Sequence, residues 1–594
     1  MSPAIRNTLI ALVGGTLGYV VGMAWLSGSS VNGTFVPMGT DAFLHASRIL
    51  ETFADTAAFY QWDTRGFAPD GAFFHWPWPF DLGLALLLHP LVWITDLPAN
   101  TLLMLLPPWW AFINAAILVL ICQQLGMRSL YTLLTVVCFF LCPATQVVHA
   151  VGAVDHNFAE QTLVLLSLLL TLRLFAAPDS QARAIGLGIC LGLAIGVSIT
   201  LFLLQLPLLA CATWAWWRGR PLSPVQALST GISLVLATLA VAAFSLPLQQ
   251  GYFDYSYLSW FQVYVALMTA IGLALLAWLP CSTRGALITL GTGLALLVPI
   301  AANIFAGFQY LSTADQVYLS RVTETRSLFE HADSALVWFS GFVLLIPVIL
   351  LGCVRVVARA NTAAFVVLAI FASAGLLLFI GQYRFNHFGT FALYLPLFCF
   401  LDHWQKNSDR PHRAVPVASV AAAALLQIPS FSFLWLERYA GWNDVYARTL
   451  PIYEYLAELC EARPGIVLAP LVNANYIHYH TRCSVYGTAM YGARNAQTKL
   501  GNRALRLLNE SPETARDYQP AFDYVLAVRA FGTQPVKPDW ARKVNSTGLN
   551  GALLAAGDTF PPGYRLLMAA DYDSQGVRLG LTRLFLVERN QAAF

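Results

Sequence analysis

Asp41 in PMGTDAFLHASRIL, Asp155 in VGAVDHNFAEQTLVLL, Glu324 in SRVTETRSLF and Arg384 in GQYRFNHF each stand beside a long apolar run. Ionisable groups at a membrane boundary are costly to keep, so each is a functional candidate by default. Carboxylates that converge on one point repel each other unless a cation neutralises them. Oxygen ligands suit Mg²⁺ or Mn²⁺, and an imidazole in the set tilts the choice toward Mn²⁺ or a softer metal. A metal beside a diphosphate stabilises charge developing on a leaving group. Arg384 has the fork to clamp that diphosphate. The set fits transfer of a group from a lipid diphosphate whose tail lies in the bilayer. Each residue alone has a simpler role. Asp155 reads as a helix N-cap, Glu324 as a surface carboxylate, Arg384 as an interfacial side chain, and His75 in FFHWPWPFD as part of an aromatic belt.

Such groups need a scaffold to hold them. The 594-residue chain is 57% hydrophobic and 11% charged, where a soluble chain carries roughly 25% charged residues. The bilayer must be its main solvent, which excludes a cytosolic enzyme, a nucleic-acid binder and a disordered scaffold. The net charge of +3 gives no reason to expect an acidic partner. Apolar segments long enough to span about 30 Å of hydrocarbon lie near 7–27, 102–123, 129–148, 160–177, 184–203, 204–218, 226–247, 257–280, 284–305, 335–357, 362–381, 386–402 and 414–435. The stretch 82–97 (LGLALLLHPLVWITDL) is short and interrupted by proline, and reads as a packing or interfacial helix.

Arg and Lys set the orientation. One set of loops holds Arg6, Arg128, Arg173, Arg183, Arg218, Arg284, Arg355 and Lys406, among others, whereas 149–159 and 248–256 hold no Lys or Arg. The basic side is therefore expected to be cytoplasmic, with the N-terminus inside, the first helix retained rather than cleaved, and the C-terminal tail outside. The expected architecture is an all-α polytopic membrane domain of about 13 transmembrane helices over 1–436, with external loops 28–81, 149–159 and 306–334. A soluble external α/β domain follows over 437–594, where GIVLAP, YVLAV and RLFLVE read as strands. An integral protein of the bacterial inner membrane, with site and domain periplasmic, is the expectation. Of the ten cysteines only Cys460 and Cys483 lie in the external domain; spacing leaves open whether they pair.

Five stretches, in order, resemble the catalytic subunit of oligosaccharyltransferase, in the C superfamily of integral-membrane glycosyltransferases. GTDAFLHASRI resembles its first external acidic motif, and GAFFHWPWPFDLGLALL the segment that closes that loop. GAVDHNFAEQTL resembles the archaeal Asp-His-His motif, SRVTETRSL the loop motif ending in Glu, and QYRF the Arg-Phe motif after a late helix. The resemblance implies an inverting transfer from a polyprenyl-diphosphate-linked glycan. It implies catalytic Asp41 and Glu324, an Mn²⁺ or Mg²⁺ site on Asp41, Asp155 and Glu324, and a donor diphosphate held by Arg384. His156 is structural or meets that phosphate. Asn157 stands where relatives place a carboxylate or His, and its carbonyl is able to ligate a hard cation. Glu324 would also hold the acceptor.

One motif departs. The family's Trp-Trp-Asp-Tyr-Gly segment, which reads the acceptor sequon, falls on Pro470, Leu471, Val472, Asn473 and Ala474. A hydroxyl reader without its hydrogen-bonding group leaves that hydroxyl unpaired. The expected acceptor is therefore a protein, glycan or lipid group other than the standard sequon, with Asn473 facing it. The alternatives are an asparagine oligosaccharyltransferase with a replaced reader, a lipid-monophosphate-sugar transferase, and a non-catalytic relative.

Overall fold

The computed structural model describes residues 2–24, 30–74, 76–176, 180–305, 327–359, 362–407, 414–436, 440–488, 496–528, 548–554, 559–574 and 577–588. Glu324 and His75 lie outside the described residues.

The membrane part is a bundle of apolar helices. They are α1 (Pro3–Ala24), α2 (Thr40–Ala54), α3 (Trp78–Thr95), α4 (Ala99–Gln124), α5 (Ser129–Leu141), α6 (Pro143–Val148), α7 (Asn157–Ala176) and α8 (Gln181–Ala194). There follow α9 (Gln205–Trp217), α10 (Pro224–Ala242), α11 (Trp260–Trp278), α12 (Thr283–Leu297), α13 (Ile346–Arg359), α14 (Ala363–Gly381), α15 (Asn386–Lys406) and α16 (Ala414–Leu436). Among the described residues ten helices are long and apolar enough to cross a membrane, and three shorter ones are apolar. The protein is an integral membrane protein. Fully buried Phe139, Leu165, Leu168, Phe379 and Leu395 knit the main core from α5, α7, α14 and α15.

One of the ten, α3, is long enough but begins and ends on one face. Asp81 in its first turn bonds to His45 and Arg48 of α2. Three residues past its end, α4 opens with Asn100, which bonds to the Phe35 carbonyl and to Tyr479 of the soluble domain. A helix of 18 residues, about 27 Å long, thus lies beside the site instead of crossing. Helix α15, 21 residues long, runs with this bundle although it is not among the ten.

Two segment boundaries move. The expected single span 129–148 is two helices, because Cys142 is extended before Pro143 and a residue before proline is driven out of the helical region. The expected boundary at 203/204 sits earlier. The chain breaks at 195–198, and the 3₁₀ turn Ile199–Leu204 runs straight into α9, making one span of 199–217.

The C-terminal part begins with α17 (Ala440–Ala462) and carries β1 (Ile466–Leu468), α18 (Leu471–His480), β2 (Ser484–Val485), β3 (Tyr524–Val528), β4 (Tyr564–Ser574) and β5 (Val577–Val587). They form one mixed sheet in the order β2-β1-β3-β5-β4. The β1 pairings to β2 and β3 are parallel, and those of β5 to β3 and β4 are antiparallel. YVLAV is buried at every position, as expected of a strand covered on both faces. Tyr524, Leu526 and Val528 enter one core, and Val525 and Ala527 the other. Cys460 and Cys483 form a disulfide.

The long loop between α1 and α3 is fastened to this domain. Val485 of β2 donates its N–H to the Arg65 carbonyl and accepts from the Ala68 N–H, so residues 65–68 cover an otherwise open sheet edge. The Arg65 guanidinium caps the end of α18 through the His478 and Thr481 carbonyls and pairs with Glu51 of α2. Buried His478 lies between Ser47 of α2 and Asp63, 3.4 Å from the latter. Burial works to raise the Asp63 carboxyl, but His478 and the N–H groups of Gly66 and Arg65 hold it below the usual range. A lowered folded value stabilises above the unfolded pKa, near 4, and that contribution is lost as pH falls. Asp63→Asn should therefore loosen the junction at pH 7, with the gap from wild type closing below about pH 4. Thermal unfolding across pH checks this, and a gap that widens in acid is the opposite result.

Candidate active site

Helix α2 opens at Gly39, whose φ of 98° lies in the left-handed region where glycine alone is unstrained. Asp41, His45 and Arg48 follow at four- and three-residue steps, so they line one helix face. Asp155 sits on the loop before α7, and three backbone bonds fix that loop. Met38 donates to the Gly152 carbonyl, Gly152 to the Met104 carbonyl of α4, and Val151 to the Gly22 carbonyl of α1. A Cβ on Gly22 would stand 2.1 Å from the His149 carbonyl oxygen, so the close approach of α1 needs glycine.

These elements bring Asp155 to the face of α2. The His45 Nε2 lies 3.6 Å from Asp155 Oδ1, and the His156 ring contacts the same oxygen through Nδ1. Asp155 also accepts from the His156 backbone N–H and from the Asn157 side-chain amide, both at 2.7 Å. Neither bond reaches a backbone N–H of the first turn of α7, which begins at Asn157, so these bonds are not those of a helix N-cap. Trp76 packs on both imidazoles, at 4.2 Å from His156 and 5.8 Å from His45. Phe80 stands edge-on to His45.

The electrostatics separate the two carboxylates. Burial and the neighbouring Asp155 charge push Asp41 up to about 6. Burial opposes the charge on Asp155 too, but His156 and His45 beside it hold it down at about 2. Burial also works against a proton on His156, and the carboxylates of Asp155 and Glu160 outweigh it, raising the ring to about 9. His156 is thus a cationic N–H donor at neutral pH. The Arg384 charge acts on His156 as well, so Arg384, on the 3₁₀ turn Tyr383–Phe385 before α15, belongs to the same locus.

Residues that sequence reasoning did not single out complete the cluster. Asp81, fully buried, accepts from His45 Nδ1 at 2.7 Å and from Arg48 at 2.8 Å. Glu160, one turn after His156, lies 3.5 Å from its Nε2 and 3.1 Å from His387 Nδ1 of α15. The signal was the spacing, since His45 and Glu160 each sit four residues from a residue already picked. At the far end of α15, about 30 Å away for 21 residues, Asp402 gathers Arg128 and Lys406.

Asn473 lies elsewhere. Its amide donates to the Tyr453 hydroxyl inside the soluble domain at 3.1 Å. Asn475 of α18 reaches α2 instead: it is fully buried and donates to the Thr40 carbonyl. Beside it Tyr476 packs edge-on to Phe43 at 4.6 Å.

Ligand atoms of His45, Asp155 and His156 lie within 4.8 Å of one another, and this set fits a divalent cation once the imidazoles have given up their protons.

The fold is that of the membrane-embedded oligosaccharyltransferases. An oligosaccharyltransferase of Archaeoglobus fulgidus, solved tethered to an acceptor peptide containing the NVT sequon, matches 96% of this chain and 80% of its own with a TM-score of 0.70 at 15% identity. The archaeal oligosaccharyltransferase AglB of A. fulgidus, in complex with an inhibitory peptide and a dolichol-phosphate, matches 88% of this chain and 69% of its own, with a TM-score of 0.66 at 15% identity. The A. fulgidus enzyme in complex with Zn and sulfate matches 87% and 67%, with a TM-score of 0.63 at 15% identity. At such identity the likeness is one of fold. No family profile and no curated protein sequence matches the chain.

Proposed function

We propose that this protein is a membrane glycosyltransferase that moves a glycan from a polyprenyl-diphosphate donor to an acceptor on the face carrying the soluble domain. One observation carries the reading: an oligosaccharyltransferase fold gathers Asp41, Asp155, His156 and the Arg384 charge at one end of its helices. Solved relatives of that fold hold a dolichol-phosphate and an inhibitory peptide in one case and Zn and sulfate in another, which supports a lipid-linked donor and a divalent metal. The proposed setting is a bacterial inner membrane, with the site and the domain 437–594 in the periplasm.

In this reading Arg384 and the cationic His156 bind the donor diphosphate. Asp41, Asp155, Asn157 and Glu324 would hold Mn²⁺ or Mg²⁺, which supplies positive charge to the leaving diphosphate. Asp41 and Glu324 orient the acceptor nucleophile and take its proton. The anomeric carbon–oxygen bond breaks as the acceptor bond forms on the opposite face, so the centre inverts and the polyprenyl diphosphate leaves. The acceptor is a protein, glycan or lipid group other than the standard sequon, met by Glu324. The composition of α18 supports this, because it has no Trp or Asp and its Asn475 and Tyr479 are engaged with Thr40 and Asn100.

The test is a fluorescent polyprenyl-diphosphate oligosaccharide given to the protein in lipid nanodiscs, with envelope extract or a sequon peptide as acceptor. The expected result is metal-dependent release of polyprenyl diphosphate and label on the extract, with none on the peptide. Label on the peptide at a comparable rate would replace the acceptor assignment with asparagine. Undiminished turnover in chelator would remove the metal, and no turnover with any acceptor would overturn the reading.

A further inference from the structure

We infer that Tyr476 binds the acceptor, its hydroxyl hydrogen-bonding the group that receives the glycan beside Asp41. The inference rests on the glycosyl-transfer reading above and gives the acceptor side of that reaction a residue of the soluble domain.

Helix α18 lies along α2 and is held to it at two points. Asn475 donates to the Thr40 carbonyl at 3.0 Å, and His478 meets Ser47 at 3.3 Å. The first bond fixes the turn at 475–476 against the residue that precedes Asp41. Tyr476 packs edge-on to Phe43 at 4.6 Å, and the Asp41 charge acts on its phenol. Asp41 and Tyr476 therefore come to one place from opposite ends of the chain.

The tyrosines around this contact are not alike. Tyr446 and Tyr479 also pack on Phe43, and Tyr453 packs on Tyr446 and Tyr476. Tyr446 pairs its hydroxyl with His480 Nε2, and Tyr479 donates to the Asn100 side-chain oxygen at 3.2 Å. Tyr453 accepts from the Asn473 amide at 3.1 Å. The Tyr476 hydroxyl has no hydrogen-bond partner among the described residues, although the residue is only 9% exposed. A phenol so enclosed has little water to bond to, which favours a bound group that pairs with it. It keeps its proton at neutral pH, so it both donates and accepts. A group set between the two side chains accepts from Tyr476 and gives its proton toward Asp41, as the proposed reaction requires. A molecule that offers the phenol nothing would shut it in unpaired, so the same hydroxyl selects among acceptors.

The experiment uses the full-length protein in lipid nanodiscs with the fluorescent polyprenyl-diphosphate oligosaccharide. Donor and acceptor are varied separately, the acceptor being envelope extract, or the sequon peptide if that alone is labelled. Tyr476→Phe keeps the ring on Phe43 and removes only the oxygen. It is expected to unfold at the wild-type temperature and to leave the half-saturating amount of donor unchanged. It should raise the half-saturating amount of acceptor at least about 10-fold. Tyr479→Phe makes the same change on a hydroxyl already paired with Asn100, and should leave the acceptor dependence unchanged. A Tyr476→Phe protein with wild-type acceptor dependence overturns the inference and leaves the transfer reading standing. So does one that shifts donor and acceptor dependence alike or unfolds well below wild type, because the hydroxyl then serves the fold. An equal shift in Tyr479→Phe assigns the effect to docking of the domain and also overturns it. Wild type that labels neither extract nor peptide overturns the transfer reading and the inference together.

Discussion

Asp155→Asn should abolish glycan transfer while leaving a folded protein. The substitution keeps the shape of the side chain and an oxygen able to accept from the His156 backbone N–H, so the start of α7 survives. It removes a negative charge at the point where His45, His156 and Asp41 meet. With that charge gone, the cation set loses a ligand and His156 loses the partner that keeps it protonated. A fall in kcat/KM of at least about a thousandfold is expected, or about 4 kcal/mol of transition-state stabilisation. The unfolding temperature should stay within a few degrees of wild type. Wild-type activity in the variant would dismiss the site.

The largest effect on stability is expected at Arg48, which touches no substrate in the proposed reaction. Its guanidinium is fully buried, pairs with Asp81, donates twice to the Tyr60 carbonyl at 3.0 and 2.7 Å, and lies between the rings of Phe59 and Phe74. Arg48→Met leaves a buried carboxylate without its counter-charge, which costs about 3–5 kcal/mol. Adding Asp81→Leu removes the stranded charge, and much of the stability should return, since apolar replacement of a buried ion pair is often neutral. Activity should not return with it, because His45 then has no acceptor for Nδ1. Thermal unfolding and transfer assays on the single and double variants check both halves. A double variant with full activity would show that the pair does not serve His45.

Much of the scaffold was legible because lipid enforces long apolar helices, and hydropathy reports those directly. Asp41, Asp155 and Arg384 were legible because charge is scarce beside such helices. The in-plane course of α3 was expected from Pro90 and its shortness, although the helix runs through Pro90 for 18 residues. What kept it from crossing was contact at both ends, which no local pattern encodes. The split at Cys142 was written in Pro143 and was overridden by reading hydropathy alone. Asp81, Glu160 and His387 were illegible for another reason. Each is polar inside an apolar run, and only their juxtaposition from three helices gives them partners. Asn475 rather than Asn473 reaches α2, because facing depends on how α18 is docked and not on motif register.

Residues 65–68 complete the edge of a sheet whose own strands come from beyond residue 465, and Arg65 closes α18 across a separation of 413 residues. The soluble part is therefore no interchangeable head on a membrane base. A chimera that exchanges only the C-terminal half with a relative would inherit an uncovered edge and an unmet helix end. The first long loop and the C-terminal half form one inheritable unit.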